Sequence, residues 1–585
     1  MAAKPEEVRT ETIEAVEKPA ATTNSAPPAP RTETLHVATA AQHVSLSWRS
    51  WAVVFVACFA ITAQVFVVVA AGSVIAFIIR DLGDAALAGW IIQGPLLMQS
   101  VLSPIVGRLS DVLDRKWLAA APPLVAFVGA VVSARAQSMV VLIGGSILIG
   151  VTLSSISIVQ AIPAEVLPLK YRALANGFAF LGGAVGGLVG VLGAGGVTNA
   201  NASGWRTIFW MQAAFHLVTV LGLVLFYHPT RRSDYPKMSL KGYIWACDPI
   251  GSVMFISSAA LMLLALDWAG GAYKWSNPHV AAPLAVGLVL LVLFCLYEWR
   301  GRKDGLVAHV FFKGSPNFAL SVFAFAVEGW LFYSAVNSVT PQIVLNLGFE
   351  TSAWRISIRQ LAFNITAIVA SIPLTLYATK YKDLKSPLLL TFAVFLVVTV
   401  CYATITPNLN RAQIGYNVLA GIGQAGPLTL LVALVQFTAP HAYLSTATGL
   451  AFSARAIGGA FGSAVLSAII NGKLAATYAP SVARAAVAAG LPTTSVPALL
   501  EALALGAPAA LAAVPGIDAR VLAEAMSASH WAYAGAYRVA WASIVPFVVL
   551  ALVAVAFLRG VAELMTEEVE ATVERVRVGR EKGVV

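Results

Sequence analysis

Long apolar runs alternate with short polar segments along most of the chain. Each run has about twenty residues or more, which is the length that a helix needs to cross the roughly 30 Å hydrocarbon core of a bilayer. Because lipid offers no partner for free backbone groups, and because the runs lack the alternation of barrel strands, the pattern predicts membrane-spanning helices. About fourteen spans are predicted, at residues 51–79, 86–107, 117–135, 138–160, 173–197, 205–227, 243–266, 279–299, 316–340, 353–378, 386–406, 411–437, 446–472 and 536–560.

Three segments outside the spans are expected to differ from them. Residues 1–47 are rich in Ala, Pro, Thr and Glu and contain no apolar run, which is typical of a disordered tail. The segment 473–535 is long enough to have structure of its own, and we expect amphipathic helices at Val496–Leu511 and Ala519–Ala528 that cap the outer mouth of the protein. Residues Glu563–Lys582 alternate acidic and basic residues and predict a solvated or membrane-surface helix.

The composition supports a membrane location and gives the chain an orientation. Hydrophobic residues make up 58% of the 585 residues and charged residues 11%, with a mean hydropathy of +0.79, whereas a soluble chain is about a quarter charged. The predicted loops on one side hold roughly sixteen Lys and Arg residues and those on the other roughly four, so the rich side and both termini are expected to be cytoplasmic. The same bias accounts for the net charge of +10 without a nucleic-acid partner.

Residue patterns that carry catalysis or bind cofactors are missing from the sequence. It contains no H-E-x-x-H pattern, no cluster of His and Asp, and no phosphate-binding Gly loop ending in Lys, so we expect neither an enzyme nor a nucleotide-driven pump. The cysteines lie inside or at the ends of apolar runs, and their spacing suggests no disulfide framework or metal site. These packing cysteines are Cys58, Cys247, Cys295 and Cys401.

A dense polar stretch separates the second and third predicted spans. Pro104–Trp117 reads P-I-V-G-R-L-S-D-V-L-D-R-K-W. It resembles the loop between the second and third helices of major facilitator superfamily transporters, roughly G-x-x-x-D-(R/K)-x-G-x-(R/K)-(R/K). Val112 stands where that pattern has a basic residue and Asp114 where it has a second Gly. The alternative is an ordinary basic cytoplasmic loop. The resemblance assigns a conformational-gating role to Gly107, Arg108, Asp111, Arg115 and Lys116.

Further stretches resemble the same superfamily. Pro373–Lys385 can be laid on the first thirteen residues of the motif without a gap, as in transporters built from duplicated bundles. The other similar stretches are Ile162–Asn176 (end of the fourth helix), Gly182–Gly190 (the Gly-rich fifth-helix motif of antiporters, with Gly187 in place of Pro) and Gly204–Gln212 (start of the sixth helix). The sequence differs from the antiporters in one motif. Ser146 and Ile149 replace the Arg and Gln of their fourth-helix pattern, so proton coupling by that Arg is not expected.

Taken over residues 50–560, the chain is most similar to the fourteen-span drug:proton antiporters, in the branch of fungal trichothecene efflux pumps and siderophore–iron transporters. That resemblance implies an all-α fold of two pseudo-symmetric six-helix bundles and two linker helices. The predicted boundaries are 1–47 (N-terminal tail), 48–228 (first bundle), 229–315 (loops and linker helices), 316–560 (second bundle with the outer segment) and 561–585 (C-terminal tail).

The implied function is secondary active transport, with proton-coupled efflux of amphipathic toxins or drugs as the leading hypothesis. Uptake of ferric siderophores is the alternative, and a receptor or membrane enzyme is remote. The proton gradient supplies the energy, so no cofactor is expected. The expected partners are membrane lipid, a small-molecule substrate and protons, with the chain acting as a monomer in the plasma membrane.

Ionisable residues inside spans are costly and therefore mark functional positions. Counted along their helices, Glu328 and Arg455 lie about 18 Å and 14 Å from the cytoplasmic end, and Arg359 about 9 Å from the outer end. These depths predict an ion pair or triad near the midplane, with Glu328 exchanging the proton. The alternative is a purely structural buried pair.

Several uncharged residues complete the candidate site. His216 lies near mid-depth in the sixth span, where a core histidine is the alternative reading. The candidate hydrogen-bonding residues are Gln93, Gln99, Asn337, Asn364 and Gln424, and the aromatic residues expected to line a cavity are Trp330, Phe332 and Tyr333.

Glycines at four-residue spacing predict close helix packing, either static or as a sliding contact. They are Gly182, Gly186, Gly190, Gly458 and Gly462. In the family, the residues at the positions of Asp111 and Arg115 latch the cytoplasmic ends of helices. A carboxylate is stabilised at the N-terminus of a helix. We therefore expect Asp111 to bind the start of the thirteenth span, near Ser445.

Overall fold

The computed structural model describes residues 48–73, 75–83, 90–113, 115–200, 203–228, 239–269, 273–350, 353–505 and 508–566. The predicted tail at 1–47, Asp114 of the motif, and all but the first few residues of the predicted helix at Glu563–Lys582 lie outside these ranges. Within them, 14 helices are long and apolar enough to cross a membrane. The predicted class, an all-α integral membrane protein, is confirmed.

Numbered along the chain, these helices are α1 (Trp48–Ala71), α2 (Trp90–Val112), α3 (Arg115–Ala134), α4 (Met139–Val166), α5 (Leu169–Thr198), α6 (Trp205–Phe226), α7 (Leu240–Leu266), α8 (Pro278–Gly301), α9 (Asn317–Asn346), α10 (Trp354–Tyr381), α11 (Lys385–Ala403), α12 (Asn410–Thr438), α13 (His441–Ala489) and α14 (Ala519–Ala556). We call the end of the bundle where α2 meets α3 the Asp111 side, and the end where α2 begins the Trp90 side.

Three of these helices change geometry part-way along their length. In α4 the helix is interrupted at Ser155, and the Gln64 side chain of α1 donates to the carbonyl of Thr152 there, at 2.9 Å. In α9 a π-helical segment, Trp330–Val339, follows the regular turns. In α12 the interruption falls at Gly426, because Pro427 has no backbone N–H to continue the ladder. Broken and π-helical spans are frequent at functional sites of transporters.

The first six and the last six long helices each enclose apolar cores. Two clusters lie among α1–α6, around Phe66 and Trp205 and around Val53 and Ile158. A larger cluster, centred on residues such as Trp541, fills α9–α14. Helices α7 and α8 pack against each other, and α7 contacts both sets. On the Trp90 side, hydrogen bonds from Arg206 and Trp205 at the start of α6 hold the pKa of Asp81 below its usual range.

Close packing is observed at four of the five predicted glycines. A Cβ atom at Gly182 or Gly186 of α5 would overlap the backbone carbonyls of Cys58 and Thr62 in α1. At Gly190 the nearest atom lies 3.5 Å away, an ordinary contact. In the second set of helices, Gly458 faces the Ala326 backbone and Gly462 faces the Trp330 ring.

The expected outer segment at 473–535 is organised differently from the prediction. The α-helix of the thirteenth span runs without interruption for 46 residues, Leu444–Ala489, and Ala519–Ala528 is the first part of the 38-residue α14 rather than a separate helix. Between them, the expected Val496–Leu511 helix is two shorter ones, Val496–Leu505 and Pro508–Ala512. The Ala-rich sequence favours helix beyond the membrane, because alanine has the highest helix propensity.

The two helical extensions form a hairpin with its own core. Val482, Leu499 and Val521 are each at most 2% exposed and pack in a cluster separate from the membrane core. Gly490, at φ 115°, ends the first extension, and the Asp518 side chain caps the second by accepting from Val521 N at 2.6 Å. The residues of this core all belong to the hairpin, and they do not test whether the hairpin covers the outer mouth of the protein. That capping role stays a prediction.

Candidate functional site

The Asp111 carboxylate binds the N-terminus of the helix in the other half, where the sequence places it. It accepts hydrogen bonds from Ser445 N at 3.2 Å and from both the backbone N and the Oγ1 of Thr446 at 2.8 Å. The α-helix of α13 begins at Leu444, so Asp111 from α2 caps a helix to which it is not connected. The carboxylate also complements the positive end of the helix dipole.

Charged groups surround this cap on the Asp111 side. Arg115 donates to Asp111 at 2.6 Å and also forms an ion pair with Glu165 at the end of α4. His441, the first residue of α13, lies 3.5 Å from the same Glu165 carboxylate. Arg115 thus orients Asp111 and ties it to α4.

Arg108 joins the motif to the two linker helices. Its Nε donates to the Ala246 carbonyl of α7 at 3.0 Å, and its NH2 donates to the Asp304 carbonyl after α8 at 3.0 Å. The guanidinium also lies 4.7 Å from the centre of the Tyr443 ring at the start of α13. The Lys116 ammonium lies 5.9 Å from the Trp117 ring.

Glycine permits the α2 and α13 backbones to touch. A Cβ atom at Gly107 would overlap the Ser445 carbonyl, and one at Gly449 would lie 2.5 Å from the Ser103 carbonyl oxygen. Side chains at either position would separate the helices and lengthen the Asp111 hydrogen bonds.

A second set of contacts joins the halves on the same side. Arg172 of α5 donates to the Gln436 carbonyl of α12 at 3.0 Å. Asn176 donates to the Gln436 side chain at 2.9 Å and accepts from Gln160 of α4 at 2.7 Å. Together with the Asp111 cap, these contacts close the Asp111 side of the protein.

The centre of the protein holds a buried ion pair between Glu328 of α9 and Arg455 of α13. Arg455 Nε donates to Oε2 at 2.5 Å and NH2 donates to Oε1 at 2.9 Å, so the contact is bidentate. Gln424 of α12 donates to Oε1 at 2.6 Å. Glu328 is 0% exposed and Arg455 4%, so removal of either charge would leave the other buried without a counter-charge.

The ion pair is connected to the first half through Tyr333. Arg455 NH1 donates to the Tyr333 hydroxyl at 2.7 Å, and that hydroxyl lies 3.5 Å from Gln99 Oε1 in α2. The guanidinium also faces the rings of Phe332 and Tyr333, with centroids 4.8 Å and 4.6 Å away. The network therefore joins the two halves, and relative motion of the halves would make or break it.

Arg359 was expected near Glu328, and this prediction is wrong. Arg359 pairs with Glu350 at 3.1 Å and donates to the Asn410 carbonyl and the Gln413 side chain, at the Trp90 ends of α10 and α12. The predicted depth of about 18 Å from the cytoplasmic end, in a core of roughly 30 Å, placed Glu328 about 12 Å from the outer surface. Helix α9 has 30 residues, and the 18 residues beyond Glu328 place it about 27 Å from that end.

Other predicted residues lie apart from this network. His216 is buried in α6, and within the described residues neither ring nitrogen has a hydrogen-bond partner. Asn337 is exposed and donates to the Phe332 carbonyl, and Asn364 donates to the Gln360 carbonyl of its own helix. The remaining two are Gln93, which lines a cavity described below, and Trp330, which is packed in the core against Gly462 rather than lining a cavity.

The prediction missed several residues at the interface between the halves. Glu165 stands in the fourth-helix stretch that resembles the superfamily, and its acidic side chain at a predicted helix end was a usable signal. Gln436 and Asn176 are uncharged partners of each other and lie 260 residues apart in the chain. Neither a charge buried in a span nor a short sequence spacing therefore identifies them. Among the described residues no group of three or more His, Cys, Asp and Glu could hold a metal ion.

Known proteins share this sequence pattern and fold. The profile described as Major Facilitator Superfamily matches residues 50–463. The MFS-type transporter prx5 of Penicillium rubens is 28% identical over 475 residues, 80% of this chain and 84% of that protein. The trichothecene efflux pump TRI12 of Fusarium sporotrichioides is 25% identical over 513 residues, 83% of each chain.

A solved structure shows the same fold. A bacterial homologue of the human lysosomal transporter Spinster, in an inward-facing and unoccupied conformation, matches with a TM-score of 0.52 and 14% identity, covering 88% of this chain and 98% of that one. The relatives are named as transporters and efflux pumps and not as enzymes, in agreement with the sequence. With its fourteen membrane-length helices and the profile match over most of its length, the chain belongs to the major facilitator superfamily of membrane transporters.

Proposed function

We propose that this transporter exports neutral amphipathic molecules, of the size and character of trichothecene toxins, in exchange for protons. The observation that carries the proposal is the buried Glu328–Arg455 pair, held by Gln424 and connected through Tyr333 to the first half. A trichothecene efflux pump among the relatives supports the direction and the substrate class.

Protonation of Glu328 supplies a physical route for coupling. A proton removes the charge of Glu328 and with it the electrostatic attraction that holds Arg455. Arg455 then remains buried with its Tyr333 contact, and Gln424 loses its charged acceptor. The halves are free to rearrange around this centre, and release of the proton restores the pair.

The basic loops indicate the orientation of the cycle. By the positive-inside rule the Asp111 side faces the cytoplasm, with both chain termini inside. We place the protein in the plasma membrane, where export removes the substrate from the cell. The closed Asp111 side then corresponds to a state that is shut toward the cytoplasm. The chain works as a monomer, with the proton gradient as its energy source.

The test is uptake by inside-out vesicles carrying the protein, with and without an imposed pH gradient. The probes are a labelled trichothecene, the neutral dye Nile red and a ferric siderophore. We expect gradient-driven filling with the trichothecene or the dye, and for Glu328→Gln a rate lower by about tenfold or more, because Arg455 loses its counter-charge.

The matched control is Glu350→Gln, which changes a partly exposed carboxylate paired with Arg359 outside the network. It is expected to retain the gradient dependence. Gradient-driven filling that persists in Glu328→Gln at the wild-type rate would reject this carboxylate as the coupling group. Filling with the siderophore alone would reject the substrate class.

A further inference from the structure

A cavity of about 220 Å³ lies between α2, α7 and α13 toward the Trp90 side. It is separate from the Glu328 network, whose residues do not line it. The lining residues are Trp90, Gln93 and Leu97 of α2, Leu263, Leu264, Leu266 and Ala269 at the end of α7, and Ala460, Ser463, Ala464, Ser467 and Asn471 of α13.

The packing of linker helix α7 explains the position of the cavity. Helices α2 and α13 face each other across the two halves, and α7 packs against both. Toward the Asp111 side this seam is filled, because Phe255 of α7 belongs to a cluster that includes Ile105 of α2 and Ile457 of α13. Toward the Trp90 side the small residues Ala460 and Ala464 leave space that α7 covers but does not fill.

The cavity has one apolar and one polar wall. The leucines of α7 and Leu97 form the apolar wall. Ser463, Ser467 and Asn471 are spaced four residues apart, which places them along one face of α13, and Gln93 stands opposite on α2. None of the residues that line the cavity is charged. Such a lining fits a neutral molecule with an apolar body and several hydrogen-bonding groups.

The depth of the cavity places it at the end of the transport path. Counted from Leu444, Ser463 and Ser467 lie about 29 Å and 35 Å along α13, close to the far boundary of a core of roughly 30 Å. Ser467 and Asn471 are exposed, so the cavity is open at this level. Its volume is below the roughly 300–1,000 Å³ of pockets for drug-sized ligands, so it holds part of such a molecule.

We propose that this pocket under α7 is an exit site, in which a neutral amphipathic substrate rests between the central network and the outer surface. The proposal rests on the proposed export function and adds a role for linker helix α7 as one wall of the path. A phospholipid acyl chain would use the leucine wall but make no hydrogen bond to Gln93, Ser467 or Asn471, which favours the substrate over bound lipid.

The experiment measures protection of a cysteine in the pocket. In full-length protein with the four native cysteines changed to Ala, Ser467→Cys is labelled from outside by a membrane-impermeant maleimide, with Nile red as the probe. At a dye concentration four times its dissociation constant, we expect labelling about fivefold slower. Ala475→Cys, exposed two turns farther along the same helix and outside the lining, is the control and is expected to label at an unchanged rate.

A second variant tests the polar wall in transport. Gln93→Leu keeps the volume of the side chain and removes its hydrogen bonds, so Nile red export is expected to fall about fivefold. Gln342→Leu, an exposed glutamine of α9 outside the pocket, is its control and is expected to export at the wild-type rate.

The outcomes separate this proposal from the export mechanism. Equal labelling of Ser467→Cys with and without the dye overturns the pocket. Protection by short-chain phosphatidylcholine but not by Nile red identifies a lipid site and also overturns it. Labelling requires no proton gradient, so protection that persists when vesicles show no gradient-driven filling upholds the pocket while rejecting proton-coupled export.

Discussion

At the residue scale, a single carboxylate joins the two halves of this transporter. Asp111 caps α13 from the opposite half. Its negative charge interacts with the Arg115 guanidinium and with the positive end of the helix dipole. Hydrogen bonds to charged groups contribute about 1.5–3 kcal/mol against about 1 kcal/mol for neutral ones. The charge of this side chain therefore stabilises the closed Asp111 side.

Asp111→Asn is expected to lower transport while the protein remains in the membrane at its normal level. The amide oxygen still accepts a hydrogen bond, but the charge is lost, so the hydrogen bonds from Ser445 and Thr446 across the halves weaken and the closed state loses about 1–2 kcal/mol. Vesicle uptake and membrane abundance provide the measurement. Asp383→Asn is the control, because Asp383 caps its own helix α11 without joining the halves; undiminished transport by Asp111→Asn contradicts the prediction.

The sequence identifies charged site residues, because a charge buried in a span is costly. It does not identify their partners where the contact depends on which way a side chain points from its helix. Glu328 and Arg455 were identified because charges inside spans require partners. Arg359 satisfies the same criterion, yet its side chain extends to Glu350, which precedes the start of α10. Depth along a helix does not give the direction of a side chain, and a 30-residue span does not begin and end at the membrane boundary.

Helix interruptions position the central network at the element scale. Glu328 immediately precedes Gly329 and the π-helical segment of α9, and Gln424 precedes the Gly426–Pro427 break in α12. A Gly–Pro pair inside an apolar run is visible in the sequence and indicates a break. The π-helix has no such signal in the sequence, because it depends on how α9 packs around Gly459 and Arg455 of α13.

Gly186→Ala is expected to lower the melting temperature of the purified protein. Its added methyl group would overlap the Thr62 carbonyl of α1, and overpacking of this kind costs about 1–3 kcal/mol. The matched control is Gly187→Ala, whose methyl group would meet only Val65 at 3.9 Å. Thermal unfolding in detergent compares the two, and equal melting temperatures would show that α1 and α5 adjust without cost.

At the scale of the whole molecule, the described contacts between the halves close the Asp111 side through several helix pairs. The Asp111 cap, the Arg172–Gln436 contact and the approach of Gly177 to Thr375 join three different helix pairs at the same end. Fourteen spans and their order were predictable from hydropathy and length. The Asp111 cap was predicted as well. The Arg172–Gln436 and Gly177–Thr375 contacts were not, because they join positions up to 264 residues apart through a backbone carbonyl and neutral groups.

A disulfide between Gly177→Cys and Thr375→Cys is expected to arrest transport. A Cβ atom at Gly177 lies 3.5 Å from the Thr375 Cβ atom, within the range of about 3.5–4.5 Å that disulfides require. Oxidation would fix α5 to α10 and hold the Asp111 side closed. Vesicle uptake before and after oxidation, and again after reduction, is the measurement, with the two single variants as controls. Uptake that continues after complete cross-linking would show that this side need not open.

The uninterrupted α13 also makes the conformational state of the transporter measurable from the position of the hairpin. Its 46-residue α-helix begins at the Asp111 cap and ends in the hairpin beyond the membrane, so it acts as a lever about 69 Å long. A tilt of about 10° at the base would displace the far end by roughly 12 Å. The hairpin therefore amplifies a small motion at the Asp111 side into one that a pair of fluorophores, one of them on the hairpin, would resolve during the transport cycle.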